Sequence, residues 1–429
     1  MDAIRVAAES AKSASFRLAE LPLSLRNQAL MRISEQLRAS ASSIIAANQK
    51  DLEDAKADHL ASPLLKRLRY DEAKLQESVD QISSLVAQED PVGRVLARTE
   101  LDDGLVLVKV SCPIGVIGIV FESRPDALVQ ISTLCLKSGN AVLLKGGSEA
   151  KRTNDALAKA IKEALYQVDG RFEGAVHLIS TREEFRALLA LEDLVDLIVP
   201  RGSNELVRSI QASTKIPVLG HAAGICHTYI HEDADLELAV KVCYDAKVQY
   251  PAVCNAMETL LVDHHVAKDF LPRMAEEYAK AGVELRGDEA TRSLIHAGVA
   301  TEQDWATEYN DLILSIKVVG SLAEAVEHIN HYGSHHTDAI IARSREAAEK
   351  FMNAVDSSSV MWNCSTRFAD GYRYGLGAEV GISTSKTHAR GPVGLEGLTI
   401  YKWKLYGSGQ AVADYSGEGA RRYTHRKLQ

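Results

Sequence analysis

The residue pattern predicts an α/β fold of two doubly wound parallel-sheet units, with a small hairpin-and-strand flap. Three observations carry that expectation. Runs such as "IGVIGIVFE", "NAVLLKGG" and "METLLVD" are apolar throughout rather than alternating, which marks strands covered on both faces of a parallel sheet. Segments of helical length and period separate them, as right-handed crossovers require. Asp102, Asp103 and Gly104 join the β-rich runs "RVLARTEL" and "LVLVKVSC", and Asp-Gly between such runs signals a hairpin.

Taken in order, Met1 to about Ser84 reads as helix, with apolar residues recurring between charges. "EDPVG" breaks that pattern before the hairpin. The first alternation then follows. "IGVIGIVFE" is a strand, and "DALVQISTLCLKSG" a helix closed by Gly139. "NAVLLKGG" is a strand, followed by a long helix for which Ser148 is the expected cap. "AVHLIS", "LVDLIVPRG" and "IPVLGHAAG" are expected as further strands. A second alternation starts near Thr228. It runs through the helix "LELAVKVCYDAKVQ", the strand "METLLVD", the helix "VAKDFLPRMAEEYAKAG" and the strands "DLILSIKVVG" and "DAIIARS". Phe368 to Gly394 is Gly-rich and aperiodic, and "LTIYKWKLYG" reads as a last exposed strand.

Composition bounds the function. The 429 residues exceed what one core usually holds. A formal net charge of -9, without basic blocks, argues against a nucleic-acid or anionic-membrane partner. "CPIGVIGIVF" is too short to span a bilayer. The first helix mixes Asp2, Arg5, Glu9, Lys12 and Arg17 with apolar residues and lacks the apolar segment of a signal peptide. Cysteines at 112, 135, 226, 243, 254 and 364 show no CxxC spacing, so neither a disulfide scaffold nor a zinc knuckle is expected. The expectation is a reduced, cytoplasmic protein.

The common cofactor motifs are missing. There is no G-x-G-x-x-G, no P-loop and no H-E-x-x-H. The pairs His264–His265 and His335–His336 read as polar loop residues, because adjacent side chains point apart, and no metal site is expected. "LLKGGSEA" offers a lysine at a strand end, a Gly-Gly turn and a following helix, a weak anion-site pattern.

Several segments together are more specific. "CPIGVIGIVFESRPDA", "KSGNAVLLKGGSEA", "PRGSNEL", "QYPAVCNAMETLLV", "STRFADG" and "GLGAEVGISTSKTHARGPVGLEGLT" occur in order and nearly span the chain. In this the chain resembles the gamma-glutamyl phosphate reductase family of the aldehyde dehydrogenase superfamily. The resemblance implies an aldehyde dehydrogenase-like division. A Rossmann-like NADP-binding unit would take 1–92 and 113–228, and a catalytic unit 229–385. The oligomerisation flap would take 93–112 and 398–429, with 386–397 returning to the cofactor unit.

It also implies roles. Cys254 would be the nucleophile, with Asn255 beside it, and a thiolate suits thioacyl chemistry. Tyr250 and Ala252 stand where relatives often carry Arg and Ser. NADP(H) would be held by Lys145, Gly146 and Ser148 near the ribose 2′-phosphate. Gly202 and Ser203 would sit near the pyrophosphate and nicotinamide, and Glu308 at the nicotinamide ribose. Substrate contacts are expected from Ser123, Arg124, His221, Asn363, Ser365, Thr366, Arg367 and Arg390, since arginine binds phosphate and carboxylate bidentately.

Hydrolytic aldehyde dehydrogenases carry a water-activating glutamate where this chain has "GHAAGICH", with His221 near the place and no carboxylate. Their oxyanion asparagine corresponds to the neighbourhood of Ser123. The implied reaction is NADPH-dependent reduction of L-glutamyl 5-phosphate to L-glutamate 5-semialdehyde through a cysteine thioester, the second step from glutamate to proline. A separate glutamate 5-kinase would supply the substrate, and a homo-oligomer is expected. The alternatives are a reductase of another acyl phosphate or thioester, or a catalytically silent nucleotide-binding protein.

Overall fold

The computed structural model describes residues 2–221 and 223–428. The N-terminal helix Asp2–Leu18 buries one stripe, Ile4, Ala8, Ala11, Ala14 and Leu18, at the spacing that puts residues on one helical face. Helices Leu23–Ala39, Ala41–Ala57, Ser62–Leu68 and Glu72–Ala87 follow. Leu30, Ile33, Leu37, Val79 and Ile82 join the same core.

That core covers a four-stranded parallel sheet. Its order across the sheet is Val176–Leu178, Ala141–Lys145, Val116–Phe121, Leu197–Arg201. The two central strands are buried along their whole length, which is why their sequences carry no polar alternation. "IPVLG" contributes less than expected. Val218 makes a single parallel bridge to Ile198, and the chain then leaves the sheet.

The second sheet has seven parallel strands. Their order is Gly298–Val299, Glu284–Gly287, Ile313–Val319, Met257–Asp263, Cys226–Ile230, Thr337–Ile341, Ser359–Trp362. Helices Leu236–Val248 and His264–Lys280 pack on it through Ala239, Cys243, Phe270, Leu271 and Met274.

These cores shift two expected boundaries. Cys226–Ile230 belongs to the seven-stranded sheet, so the chain enters the second unit before 226 rather than at 229. Ala378 and Val380 are buried in the first core, with Ala389 and Val393. The return therefore begins by 378, not 386. The Gly-rich tail gave no periodicity from which to read the second of these points.

A separate antiparallel sheet forms the flap, in the order Thr399–Tyr406, Leu105–Pro113, Val95–Asp102, Arg426–Leu428. Gly104 turns the hairpin with φ +68°, a left-handed conformation that glycine adopts without a Cβ clash.

Candidate active site

The strand ends position the site. In the first sheet the carboxyl ends deliver Ser123 and Arg124 after Phe121, Lys145 and Gly146 after Leu144, and Arg201 to Ser203 after Pro200. In open α/β sheets ligands bind outside these ends. The second sheet contributes from the amino ends of three adjacent strands. His221 lies before Cys226–Ile230, Cys254 before Met257–Asp263, and His336 immediately before Thr337–Ile341.

Cys254 sits half-buried in the loop between helix Leu236–Val248 and the strand Met257–Asp263. Gly224 lies flat on that loop. A Cβ there would fall 2.2 Å from the Cys254 carbonyl oxygen and 2.5 Å from its Cα, so no side chain fits. The Cys226 thiol donates to the Cys254 carbonyl at 3.2 Å, and burial pushes the Cys226 thiol far up. Of the two, Cys226 is the structural thiol, since an unreactive cysteine is one kept from its thiolate form.

Ligating atoms of His221, Cys254 and His336 all lie within 4.8 Å of one another. The His221 ring donates Nδ1–H to the Ile382 carbonyl at 2.8 Å, because a carbonyl can only accept. Burial lowers the pKa of His221, so the neutral ring presents Nε2 as a lone pair. His336 is a loop residue, as expected of its pair, but not a solvated one. It is wholly buried, edge-on to His221 with ring centroids 4.8 Å apart. Strand placement of Thr337 turns the preceding side chain inward, which adjacency in sequence did not reveal.

Asn255 is buried and donates its amide to the Ala369 carbonyl at 2.8 Å. Its carboxamide anchors the 365–369 turn. Arg367, in that turn, donates Nε–H to Gln249 at 3.1 Å and lies beside Cys254, Asp245 and Arg373. Burial and then Arg373 lower its pKa. Ser365 caps the turn by accepting from the Arg367 N–H, and Thr366 keeps a buried hydroxyl without a partner.

Two site residues escaped the sequence reading. Arg201 donates Nη1–H to the Glu379 carbonyl at 3.4 Å and feels the charges of Arg124, Glu379 and Cys254; burial and then Arg124 depress its pKa. It stands next to Gly202 in "PRGSNEL", at the end of an apolar strand, and that position was the available signal. Glu379 is delivered by the Gly-rich tail. It accepts from the Gly371 N–H at 2.9 Å and lies near Arg201 and His221. Burial raises its pKa. The stretch "GHAAGICH" carries no carboxylate of its own, but Glu379 brings one near His221 from the tail, and the Gly371 N–H engages it.

Three expected substrate contacts are committed elsewhere. Ser123 adopts φ +44° and donates both its N–H and its hydroxyl to Glu149 Oε1, each at 2.7 Å. A carboxylate that takes both donors holds the residue toward the Lys145 loop. Asn363 lies at the carboxyl end of its strand. Its carboxamide accepts from Ala342 N–H and donates to Ala342 carbonyl, so it pins a turn. Arg390 pairs with Asp356 at 3.0 Å, and Lys386 shares that carboxylate.

Lys145 is buried with its ammonium folded onto the Gly146 carbonyl, and burial lowers its pKa. Ser148 opens a short 3-10 turn instead of capping the long helix Lys151–Val168. The cap comes from Asp51, which accepts from Thr153 N–H at 2.8 Å. That carboxylate already answers the positive helix end, so an anion here depends on Lys145 and Ser148. Ser203 caps helix Asn204–Ser213, and Asn204 donates to Glu308 Oε2 at 2.8 Å. Glu308 therefore meets the Gly202–Ser203 loop across the two units.

Behind the Cys254 loop, Lys247 and Glu258 form a fully buried ion pair of 2.6 Å. Glu258 also accepts the Asn310 N–H at 3.2 Å, close to Glu308. Burial pushes Glu258 up to about 7 and pulls Lys247 down.

The aldehyde dehydrogenase family model matches residues 1–301. The gamma-glutamyl phosphate reductase of Pelotomaculum thermopropionicum is 57% identical over 421 residues, covering 98% of this chain and 96% of that one. That of Acetivibrio thermocellus is 56% identical over 417 residues, covering 97% and 96%. The crystal structure of gamma-glutamyl phosphate reductase from Thermotoga maritima superposes with a TM-score of 0.93 at 40% identity, over 95% of this chain and 99% of that one. The chain belongs to the aldehyde dehydrogenase family and, within it, to the gamma-glutamyl phosphate reductases.

Proposed function

We propose that the chain catalyses NADPH-dependent reduction of L-glutamyl 5-phosphate to L-glutamate 5-semialdehyde and inorganic phosphate, the second step from glutamate to proline. The observation that carries this reading is Cys254 within the electrostatic reach of two arginines, half-buried Arg201 from the first unit and buried Arg367 from the second. A doubly anionic substrate with an electrophilic acyl carbon suits that arrangement.

The Cys254 thiolate attacks the acyl carbon. A C–S bond forms, the C–O bond to phosphate breaks, and phosphate leaves with the electron pair. Arg201 and Arg367 offset the negative charge that develops there. Bound NADPH supplies the hydride that reduces the thioester. The Asn255 backbone N–H is the candidate donor to the resulting thiohemiacetal oxyanion, whose collapse returns the thiolate and releases the aldehyde. The single proton consumed ends on phosphate. Neutral His221 borders this path and has no carboxylate relay free to make it a strong base toward water.

For the cofactor, Lys145 and Ser148 suit the 2′-phosphate of NADP(H). Gly202, Ser203 and Glu308 suit the pyrophosphate and nicotinamide side. The Gly146–Gly147 turn supports close backbone approach. A Cβ on Gly146 would stand 2.2 Å from Asn154 Nδ2. The reaction takes place in the cytoplasm, with the substrate passed from a separate kinase.

Cys254→Ser tests the assignment. Turnover should fall to less than about a hundredth, because losing the nucleophile costs several kcal/mol of barrier lowering. NADPH binding, read by fluorescence titration, should stay within about twofold. A serine variant that keeps a larger share of its rate removes Cys254 from the chemistry.

A further inference from the structure

We propose that His221, Cys254 and His336 form a chelating site for zinc or a similarly borderline-soft divalent cation, and that its occupancy reversibly silences the nucleophile. The chelating site follows from the geometry of three side chains, and only the silencing rests on the reductase reading.

Each of the three comes from the amino end of a different strand, and the three strands are neighbours in the sheet. One ligating atom from each lies within 4.8 Å of the other two. Ligands of one tetrahedral zinc stand roughly 3.3–3.6 Å apart, so closure needs only side-chain rotation. Two imidazoles and a thiolate are the donors such an ion selects.

Both histidines already carry the outer hydrogen bond typical of a metal-bound ring. His221 Nδ1 is held by the Ile382 carbonyl at 2.8 Å, and His336 Nδ1 by Thr337 Oγ1 at 2.9 Å. In each ring this leaves Nε2. His336 Nε2 is buried and has no hydrogen-bond partner, although unpartnered polar atoms at such depth are uncommon. The nearby charges work against each other. Arg201 opposes a cation, while Glu379 beside it favours one. With three protein ligands the fourth position stays open to water or to a substrate oxygen. Metal and acyl carbon then compete for the same sulfur.

The test uses reduced, full-length protein without substrate. Equilibrium dialysis against zinc should give one equivalent per chain at micromolar metal, and cadmium should raise a thiolate charge-transfer band. The band should vanish in Cys254→Ser. His221→Gln and His336→Gln should each weaken binding at least tenfold, the least that even an outer-shell partner contributes. Zinc should also protect Cys254 from iodoacetamide and release it to a chelator. No saturable binding, binding that leaves Cys254 open to alkylation, or unchanged affinity in both histidine variants would each overturn the proposal. If a variant does not fold, cobalt in the wild-type protein decides. Intense visible absorption of a four-coordinate thiolate site supports it, and the weak spectrum of a six-coordinate ion refutes it.

Discussion

Cys254 is presented rather than buried as filler, and its neighbours show how. Gly224 lets two backbones touch, Cys226 holds the carbonyl, and Asn255 ties down the turn that carries Arg367. The motif made Cys254 legible in the sequence. His336 was not legible, because its segment has an ordinary pattern, whereas Arg201 and Glu379 lie inside the specific segments "PRGSNEL" and "GLGAEVGISTSKTHARGPVGLEGLT" and were passed over there. Asn363 and Ser123 show the converse. Residue type and order suggested substrate contacts, while Ala342 and Glu149 take their hydrogen bonds. At this scale Lys145→Ala should weaken NADPH at least tenfold more than NADH, since a point charge matters only where the 2′-phosphate is present. Isothermal titration with both cofactors reads the difference. Equal losses would place Lys145 elsewhere in the site.

Among the elements, the buried Lys247–Glu258 pair joins the helix before Cys254, the strand after it, and the loop of Glu308. Glu258 lies in the same C-N-A-M-E-T block as Cys254, and an acid inside an apolar run was the only hint of it. Breaking one partner of such a pair leaves an uncompensated buried charge, at a cost of about 3–5 kcal/mol. Lys247→Met should therefore lower the unfolding free energy in urea by about that much, and the double variant Lys247→Met with Glu258→Leu should recover most of it. A single variant within about 1 kcal/mol of wild type would mean that the pair carries little. The parallel strands were readable because they are apolar throughout. The long helix's cap was not, because Asp51 arrives from another helix about a hundred residues earlier, and such pairings are set by tertiary packing.

For the whole molecule, the two sheets set the carboxyl ends of one unit against the amino ends of the other, and the site is where they meet. The flap stands apart. Its edge strand Thr399–Tyr406 exposes Ile400, Tyr401, Trp403, Leu405 and Tyr406, and an apolar edge of that length invites pairing. We propose that it builds the homo-oligomer. Trp403→Lys should shift the protein to a smaller species in sedimentation, while wild type sediments above its 46.7 kDa chain mass. Equal sedimentation of both would remove the strand from the interface. Among the described residues no helix is long and apolar enough to cross a membrane.

The central claim is that phosphate, not water, exchanges with the acyl group on Cys254. It is tested most directly in the oxidative direction, by NADP⁺ reduction with pyrroline-5-carboxylate as phosphate is varied. The predicted rate rises saturably with phosphate or arsenate and falls to background without either. His221→Glu, which sets a carboxylate beside the thioester, should raise the phosphate-independent rate; Ala222 lies outside the described residues. Rapid oxidation by the unmodified protein in phosphate-free buffer would contradict the account and assign Cys254 to a hydrolytic reaction.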